Sequence, residues 1–90
     1  AITELKISPS YPNPFRNSTS FQVTGAGKDS GKIKIYNLRG QMIRELKPQA
    51  SGEYTWDGMD HRGSSVSSGI YFARVSDGGR CAQRKLIRLK

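Results

Sequence analysis

Short runs in which apolar and polar residues alternate recur along most of this chain, and turn-forming residues separate them. In the run "KIKIYNL", Ile33 and Ile35 fall on one face, while Lys32 and Lys34 fall on the other. A period of two residues is typical of a strand with one buried face. Glycine and proline recur too often for an apolar helical face to persist. The pattern therefore predicts strands and no helix.

About seven such runs occur at short and regular spacing. Repeated short strands with turn signals between them favour two antiparallel sheets packed face to face. We therefore expect an all-β sandwich, formed as a single domain by residues 1–90. The predicted strands are Glu4–Ser8, Ser20–Thr24, Lys32–Leu38, Met42–Lys47, Glu53–Trp56, Gly69–Ser76 and Arg80–Leu89.

The net charge of +8 makes nucleic acid or an anionic surface a possible partner. Base stacking, however, requires aromatic side chains on an exposed sheet face beside cations. Tyr54 and Tyr71 fall on the core-facing side of their predicted strands, and only Tyr36 falls out of phase with its buried neighbours. We therefore expect no nucleic-acid partner.

Apolar runs and cysteine content set further limits. No apolar run approaches the roughly 20 residues that a membrane-spanning helix needs, so no integral membrane segment is expected. If the parent protein is exported, we expect its leader to lie upstream of these residues. The single cysteine, Cys81, excludes an internal disulfide and a cysteine-based zinc site. We expect it to be a small core or half-buried residue.

The segment "WDGMDHRGSS" holds the candidates for catalysis and metal binding. A Ser/His/Asp set needs a base held by packing and a nucleophile on a supported turn, whereas His61 and its neighbours share one glycine-flanked loop. We expect no enzyme. Asp57 and Asp60 are weak candidates for calcium ligands, because calcium takes six to eight oxygens and a turn aspartate usually bonds its own backbone. We expect no metal and no cofactor.

The stretch "YPNPF" places an aromatic ring on either side of two prolines. Pro12 and Pro14 lack amide donors and restrict the preceding residues to extended conformations. We expect a stiff extended lead-in, with the rings of Tyr11 and Phe15 capping the sandwich.

Four motifs stand in order along the chain: "YPNPF", "IKIYNLRGQMIREL", "GEYTWDGMDHRGSSVSSGIYFARV" and "RKLIRLK". Together, from Tyr11 to Lys90, they resemble the C-terminal sorting domain of type IX secretion. The resemblance implies an immunoglobulin-like β-sandwich that follows an N-terminal cargo domain. It also implies recognition by the outer-membrane protein-export machinery, a route through the periplasm, and a secreted or cell-surface location. In this family the domain is often cleaved when the cargo is attached to the surface.

Several motif residues have separate physical roles. Gly40 is expected to form a hairpin turn, Trp56 to be the central core residue, and Gly69 to allow close backbone approach before the strand of Tyr71. The residues that carry the family motifs are Tyr11, Pro12, Asn13, Pro14, Phe15, Tyr36, Gly40, Trp56, Asp57, Gly58, Gly69 and Tyr71.

The last strand has two interpretations. It is an ordinary final strand with a solvated outer face, or it is a recognition edge where an export receptor adds a strand or meets positive charges. The resemblance favours recognition at Lys85, Leu86, Ile87, Arg88, Leu89 and Lys90.

A function of a different class also remains open, namely a structural or accessory immunoglobulin-like module. Such a module would be similar to part of the flagellar hook-capping protein, or to a carbohydrate-binding appendage. A carbohydrate platform needs exposed aromatic rings, for which the sequence offers only Tyr36 and Tyr11.

Overall fold

The computed structural model describes residues 5–25, 32–47, 52–77 and 79–89. Within these ranges the chain forms seven strands and no helix. The described residues therefore contain no helix that could span a membrane. Each strand begins and ends within two residues of its predicted bounds. The strands are β1 (Lys6–Ile7), β2 (Thr19–Thr24), β3 (Ile33–Tyr36), β4 (Met42–Leu46), β5 (Glu53–Trp56), β6 (Gly69–Asp77) and β7 (Arg80–Arg88).

The strands form two antiparallel sheets with the orders β1-β2-β5 and β4-β3-β6-β7. The chain passes from one sheet to the other after β2, after β4 and after β5. The larger sheet has the order of the immunoglobulin sheet that contains strands C′, C, F and G, and the smaller sheet has the order of strands A, B and E. The predicted all-β sandwich is confirmed.

The hairpin of β6 and β7 is the longest paired element, with a continuous register from Gly69↔Arg88 to Asp77↔Arg80. Its tight turn includes Gly79, whose φ of 88° suits glycine. This hairpin makes β7 an edge strand of the larger sheet, paired along its whole length on one side.

Trp56 lies at the centre of the core and is fully buried. Its indole ring meets Phe15 and Tyr71 edge to face, with centroid distances of 5.5 and 5.3 Å. The indole Nε1 donates to the carbonyl of Met59 at 2.9 Å, as a buried tryptophan requires. The other buried apolar residues are Leu5, Ile7, Phe21, Val23, Ile33, Ile35, Leu46, Tyr54, Ala73, Val75 and Leu86.

The start of β6 has the contact known as a tyrosine corner. The hydroxyl of Tyr71 donates to the carbonyl of Ser67 at 2.7 Å, as a tyrosine near the start of strand F does in immunoglobulin-like domains. Gly69 precedes it with a φ of 151°, and a Cβ there would meet nothing within 4 Å. The expected close backbone approach at Gly69 is therefore wrong, and its backbone conformation is what favours glycine.

Tyr11 does not cap the sandwich, because its side chain is 82% exposed. Its backbone pairs with Ser20 on the outward-facing side of β2, and residues directly opposite each other share a face. Residues 12–14 bend rather than extend, so the expected straight lead-in is also wrong. Both peptide bonds before the prolines are cis. Phe15, in contrast, is buried in the core.

Cys81 is exposed, contrary to the expected burial. It stands opposite Ser76 in the β6–β7 register, one position away from the inward-facing Val75 and Ala82. The alternation of the hairpin therefore turns it outward.

Replacing Trp56 with alanine should lower the free energy of unfolding by about 3–5 kcal/mol, because a large cavity opens between Phe15 and Tyr71. Urea unfolding would measure the change. The matched control is Leu38→Ala, which removes a side chain that is 68% exposed and should cost at most about 0.5 kcal/mol. Equal losses in the two variants would contradict a core centred on Trp56.

Candidate functional site

The free edge of β7 is covered by the segment Tyr11–Phe15, here called the NPF segment. The amide of Phe15 donates to the carbonyl of Ile87 at 2.9 Å, and the amide of Leu89 donates to the carbonyl of Phe15 at 2.7 Å. Phe15 thereby forms a parallel bridge with Arg88. The end of the last strand is held between β6 on one side and the NPF segment on the other.

Asn13 extends this pairing through its side chain. Its Nδ2 donates to the carbonyl of Lys85 at 3.2 Å, and its Oδ1 accepts from the amide of Ile87 at 2.9 Å. A side-chain amide carries both a donor and an acceptor, so it can occupy a strand edge as a peptide group would. A receptor therefore cannot add a strand along Lys85–Leu89 unless the NPF segment leaves.

The NPF segment is fixed to the smaller sheet by Thr19, whose fully buried hydroxyl donates to the carbonyl of Pro12 at 2.7 Å. The backbone pairing of Tyr11 with Ser20 continues the same attachment. The segment thus joins β2 of one sheet to β7 of the other, across the end of the sandwich.

Arg88 lies next to the NPF segment and is only 8% exposed. Its guanidinium donates to the carbonyl of Gly58 at 2.9 Å, to Oγ of Ser65 at 3.0 Å and to its neighbour's carbonyl, that of Leu89, at 3.3 Å. It also lies over the ring of Phe15, 5.6 Å from the ring centroid. Hydrogen bonds and an aromatic face compensate the buried charge.

Gly58 leaves the space that the guanidinium occupies. A Cβ at this position would fall 1.4 Å from Nη1 of Arg88, and the φ of 74° favours glycine independently. The loop after Trp56, the NPF segment and the last strand therefore converge on one side chain.

Arg80 and Arg84 also point inward from β7. Arg84 donates through Nε and Nη2 to the carbonyl of Ile7 at 3.2 and 2.8 Å, and Arg80 donates to the carbonyl of Gly25 at 2.8 Å. These two carbonyls belong to β1 and to the residue after β2 in the opposite sheet. The three arginines are spaced four residues apart, so a period of two places them on the same face as Leu86. Sequence reasoning named Arg88 only as a recognition residue and missed the inward position of all three, although this spacing was the available signal.

The structure separates the residues predicted for recognition. Leu86 is fully buried and Arg88 is engaged, so neither presents its side chain to a partner in this fold. Ile87 is half-buried, whereas Lys85 and Leu89 are exposed. Lys90 lies outside the described residues.

The loop from Asp57 to Ser65 uses its polar side chains on its own backbone. Asp57 accepts from the amide of Met59, and Asp60 accepts from the amides of Arg62 and Ser64. The bond from Ser64 is the largest cause that lowers the pKa of Asp60. Desolvation opposes it, and the bond from Arg62 and nearby positive charge add to the lowering.

Two further contacts fix this loop. His61 lies with Nδ1 3.0 Å from the carbonyl of Ile43, and Nη1 of Arg44 lies 3.5 Å from Oδ1 of Asp57. Among the residues that the structure describes, no group of three or more His, Cys, Asp or Glu side chains could hold a metal ion. The loop shapes the space for Arg88, and Asp57 and Asp60 act as turn-forming residues within it.

Fold and site together define a small immunoglobulin-like β-sandwich in which the NPF segment is hydrogen-bonded to the edge of β7. Residues 10–89 match the family described as the secretion system C-terminal sorting domain, and the chain belongs to that family. This confirms the resemblance to the sorting domain of type IX secretion. No curated protein matches the chain.

Three solved structures are similar in fold. PorZ, a surface component of the type IX secretion system of Porphyromonas gingivalis, matches 96% of the chain with a TM-score of 0.69 and 20% identity. Dimeric latent PorU from the same organism matches 99% with a TM-score of 0.65 and 23% identity. The chain spans 11% and 10% of those two chains. CopC from Methylosinus trichosporium OB3b matches 94% of this chain, over 91% of its own, with a TM-score of 0.51 and 19% identity.

Replacing Gly58 with alanine should destabilise the fold more than replacing Gly63, by about 1–3 kcal/mol, because Arg88 must give up its place. Gly63 is the matched control, since its φ of 82° imposes similar backbone strain while a Cβ there meets nothing within 4 Å. Chemical denaturation of both variants, and of both combined with Arg88→Ala, would measure this. The difference should shrink when Arg88 is absent, and an unchanged difference would contradict the steric account.

Asn13→Ala should free the edge of β7 at one defined amide. Hydrogen exchange at Ile87, whose amide bonds Asn13, should accelerate strongly, while the amide of Leu89 stays protected by Phe15. The free energy of unfolding should fall by about 1–2 kcal/mol, since two bonds to the strand are lost. Equal acceleration at both amides would indicate that the whole NPF segment detaches.

Proposed function

We propose that this domain is a non-catalytic sorting signal that directs an N-terminal cargo protein across the outer membrane by type IX secretion. The family match over residues 10–89 carries this proposal. Its partners are the outer-membrane export machinery and the cargo, and the route runs through the periplasm to the cell surface or the medium. Surface attachment after export, with cleavage of the domain, belongs to the same proposal.

The signal acts as a folded unit in this proposal. Arg88, Leu86 and the backbone from Lys85 to Leu89 are all engaged in the fold. A partner that reads the last strand in its folded state meets the side chains of Lys85, Ile87 and Leu89. We place recognition there, and assign Leu86 and Arg88 to presenting the strand.

The rival function, an accessory immunoglobulin-like module, is favoured by one observation. CopC has the same fold over nearly its whole length, so the sandwich alone does not define a sorting role. An accessory module would not depend on the export machinery, and that dependence separates the two functions.

The test is a secretion assay with a periplasm-compatible red fluorescent protein fused ahead of residues 1–90 in a host with type IX secretion. Fluorescence should reach the surface or medium, and should be lost in a strain that lacks the export machinery. Truncation after Arg84 should also abolish export, although it removes Leu86 and Arg88 and therefore disrupts the fold as well.

A pair of surface variants separates recognition from folding. Lys85→Ser with Leu89→Ser removes two exposed side chains but keeps every backbone hydrogen bond of the strand. Arg62→Ser with Met59→Ser is the matched control, since it also removes one exposed cation and one partly exposed apolar side chain, in the loop after Trp56. We expect export to fall in the first pair only, with melting temperatures close to that of the wild type. Retention of the wild-type fusion in the periplasm, with the domain folded, would overturn the sorting function.

A further inference from the structure

The outer face of the larger sheet combines apolar and cationic side chains. Ile33, Ile35 and Ala73 are fully buried, so the alternate positions of β3 and β6 face outward. Tyr36 and Phe72 lie directly opposite each other on this face, and Ile70 lies opposite Ile87. All four are half-buried, and together they form an apolar centre.

A shallow depression of about 240 Å³ adjoins this centre, lined by Tyr36, Leu38, Phe72, Arg74 and Gln83 among others. Leu38 at its margin is 68% exposed. A concavity beside exposed apolar side chains is suited to an inserted side chain of a protein partner.

Positive charges surround the apolar centre. Lys34, Arg74 and Lys85 are exposed on the same face and make no ion pair with the residues that the structure describes. Glu45 is the one acid on the described strand positions of this face, and its carboxylate lies 4.0 Å from Nζ of Lys32. The face therefore carries a net positive charge.

Two of these cations stand directly opposite each other. Lys34 faces Arg74 in the β3–β6 register, and it faces the acid Glu45 in the β3–β4 register. Like charges at directly opposed positions of a sheet repel each other and destabilise it. Glu45 also lies near Lys32, so this single acid offsets only part of the positive charge, and an acidic partner would supply the rest.

We propose that this outer face, formed by Tyr36, Phe72 and Ile70 with Lys34 and Arg74, is a second docking surface for an acidic patch on a protein of the export machinery. The inference rests on the proposed sorting function and extends the surface proposed at Lys85 and Ile87 across the sheet onto β3 and β6. A second copy of the chain fits poorly, because two chains of charge +8 repel each other. A cationic rim around an apolar centre matches an acidic rim around an apolar contact.

The decisive variant is Arg74→Glu, tested in the same secretion assay. It turns the repulsive pair with Lys34 into an attractive one, so the melting temperature should rise by roughly 2–6 °C. Export should nevertheless fall about tenfold, because a favourable contact with the partner becomes a repulsive one. A stabilised domain that is poorly exported cannot be explained by misfolding.

Arg62→Glu is the matched control, since it makes the same charge change at an exposed loop position away from this face. It should leave export unchanged. Phe72→Thr tests the apolar centre while keeping a residue that favours strands, and should also reduce export.

The outcomes separate the two proposals. If the wild-type fusion is not exported, the sorting function fails. If the wild type and Arg74→Glu are exported equally, only the docking surface fails. Equal losses for Arg74→Glu and Arg62→Glu would overturn a specific face and indicate a general need for positive charge.

Two solution measurements identify other occupants. Sedimentation that shows a wild-type dimer dissociated by Arg74→Glu would overturn the proposal in favour of self-association. Binding of the purified domain to single-stranded oligonucleotides, or to vesicles of phosphatidylglycerol and phosphatidylcholine, that Arg74→Glu abolishes would overturn it in favour of that anionic ligand. We expect neither.

Discussion

The buried guanidinium of Arg88 is the interaction on which the C-terminal part of this fold depends. Taking a charge out of water is costly unless every donor finds a partner. Here the partners are the carbonyls of Gly58 and Leu89, the hydroxyl of Ser65 and the ring of Phe15. They come from three segments that are far apart in sequence, so the charge is tolerated only when all three are in place.

This dependence makes the last described strand a central part of the fold. Leu86 fills the core, and the edge from Lys85 to Leu89 bonds the NPF segment. The segment that leads in from the N-terminal side therefore covers the strand that carries the proposed signal. A partner that reads the folded domain meets side chains on the strand and on its neighbouring face, rather than a free strand edge.

Much of the architecture was predictable from sequence, because alternation and turn residues are local signals. The seven strands, the inward position of Trp56 and the turn at Gly40, where φ is 82°, all follow from residues close together in the chain. The pairing of the NPF segment with β7 was not predictable in the same way. Asn13 bonds Lys85 and Ile87 across more than 70 residues, and no local pattern encodes that contact.

Tyr11 also shows that the type of a residue does not by itself predict its burial. Its aromatic ring was expected to cap the sandwich, yet its position opposite the outward-facing Ser20 decides its exposure. Residue type was a weaker guide than the strand register. The space for Arg88 at Gly58 was likewise hidden, since a glycine after an aspartate is usually read as a turn residue.

The positive charge of the chain has two different physical roles that composition cannot separate. On β7, Arg80, Arg84 and Arg88 face inward and bond backbone carbonyls of the opposite sheet and loop, so their charge serves the fold. On the outer face, Lys34 and Arg74 stand opposite each other and repel, and Glu45 opposite Lys34 offsets only part of this charge. The parity of a residue along its strand decides which role it takes. A net charge of +8 is therefore a poor measure of the surface offered to a partner, whereas the repulsive pair identifies where such a surface lies.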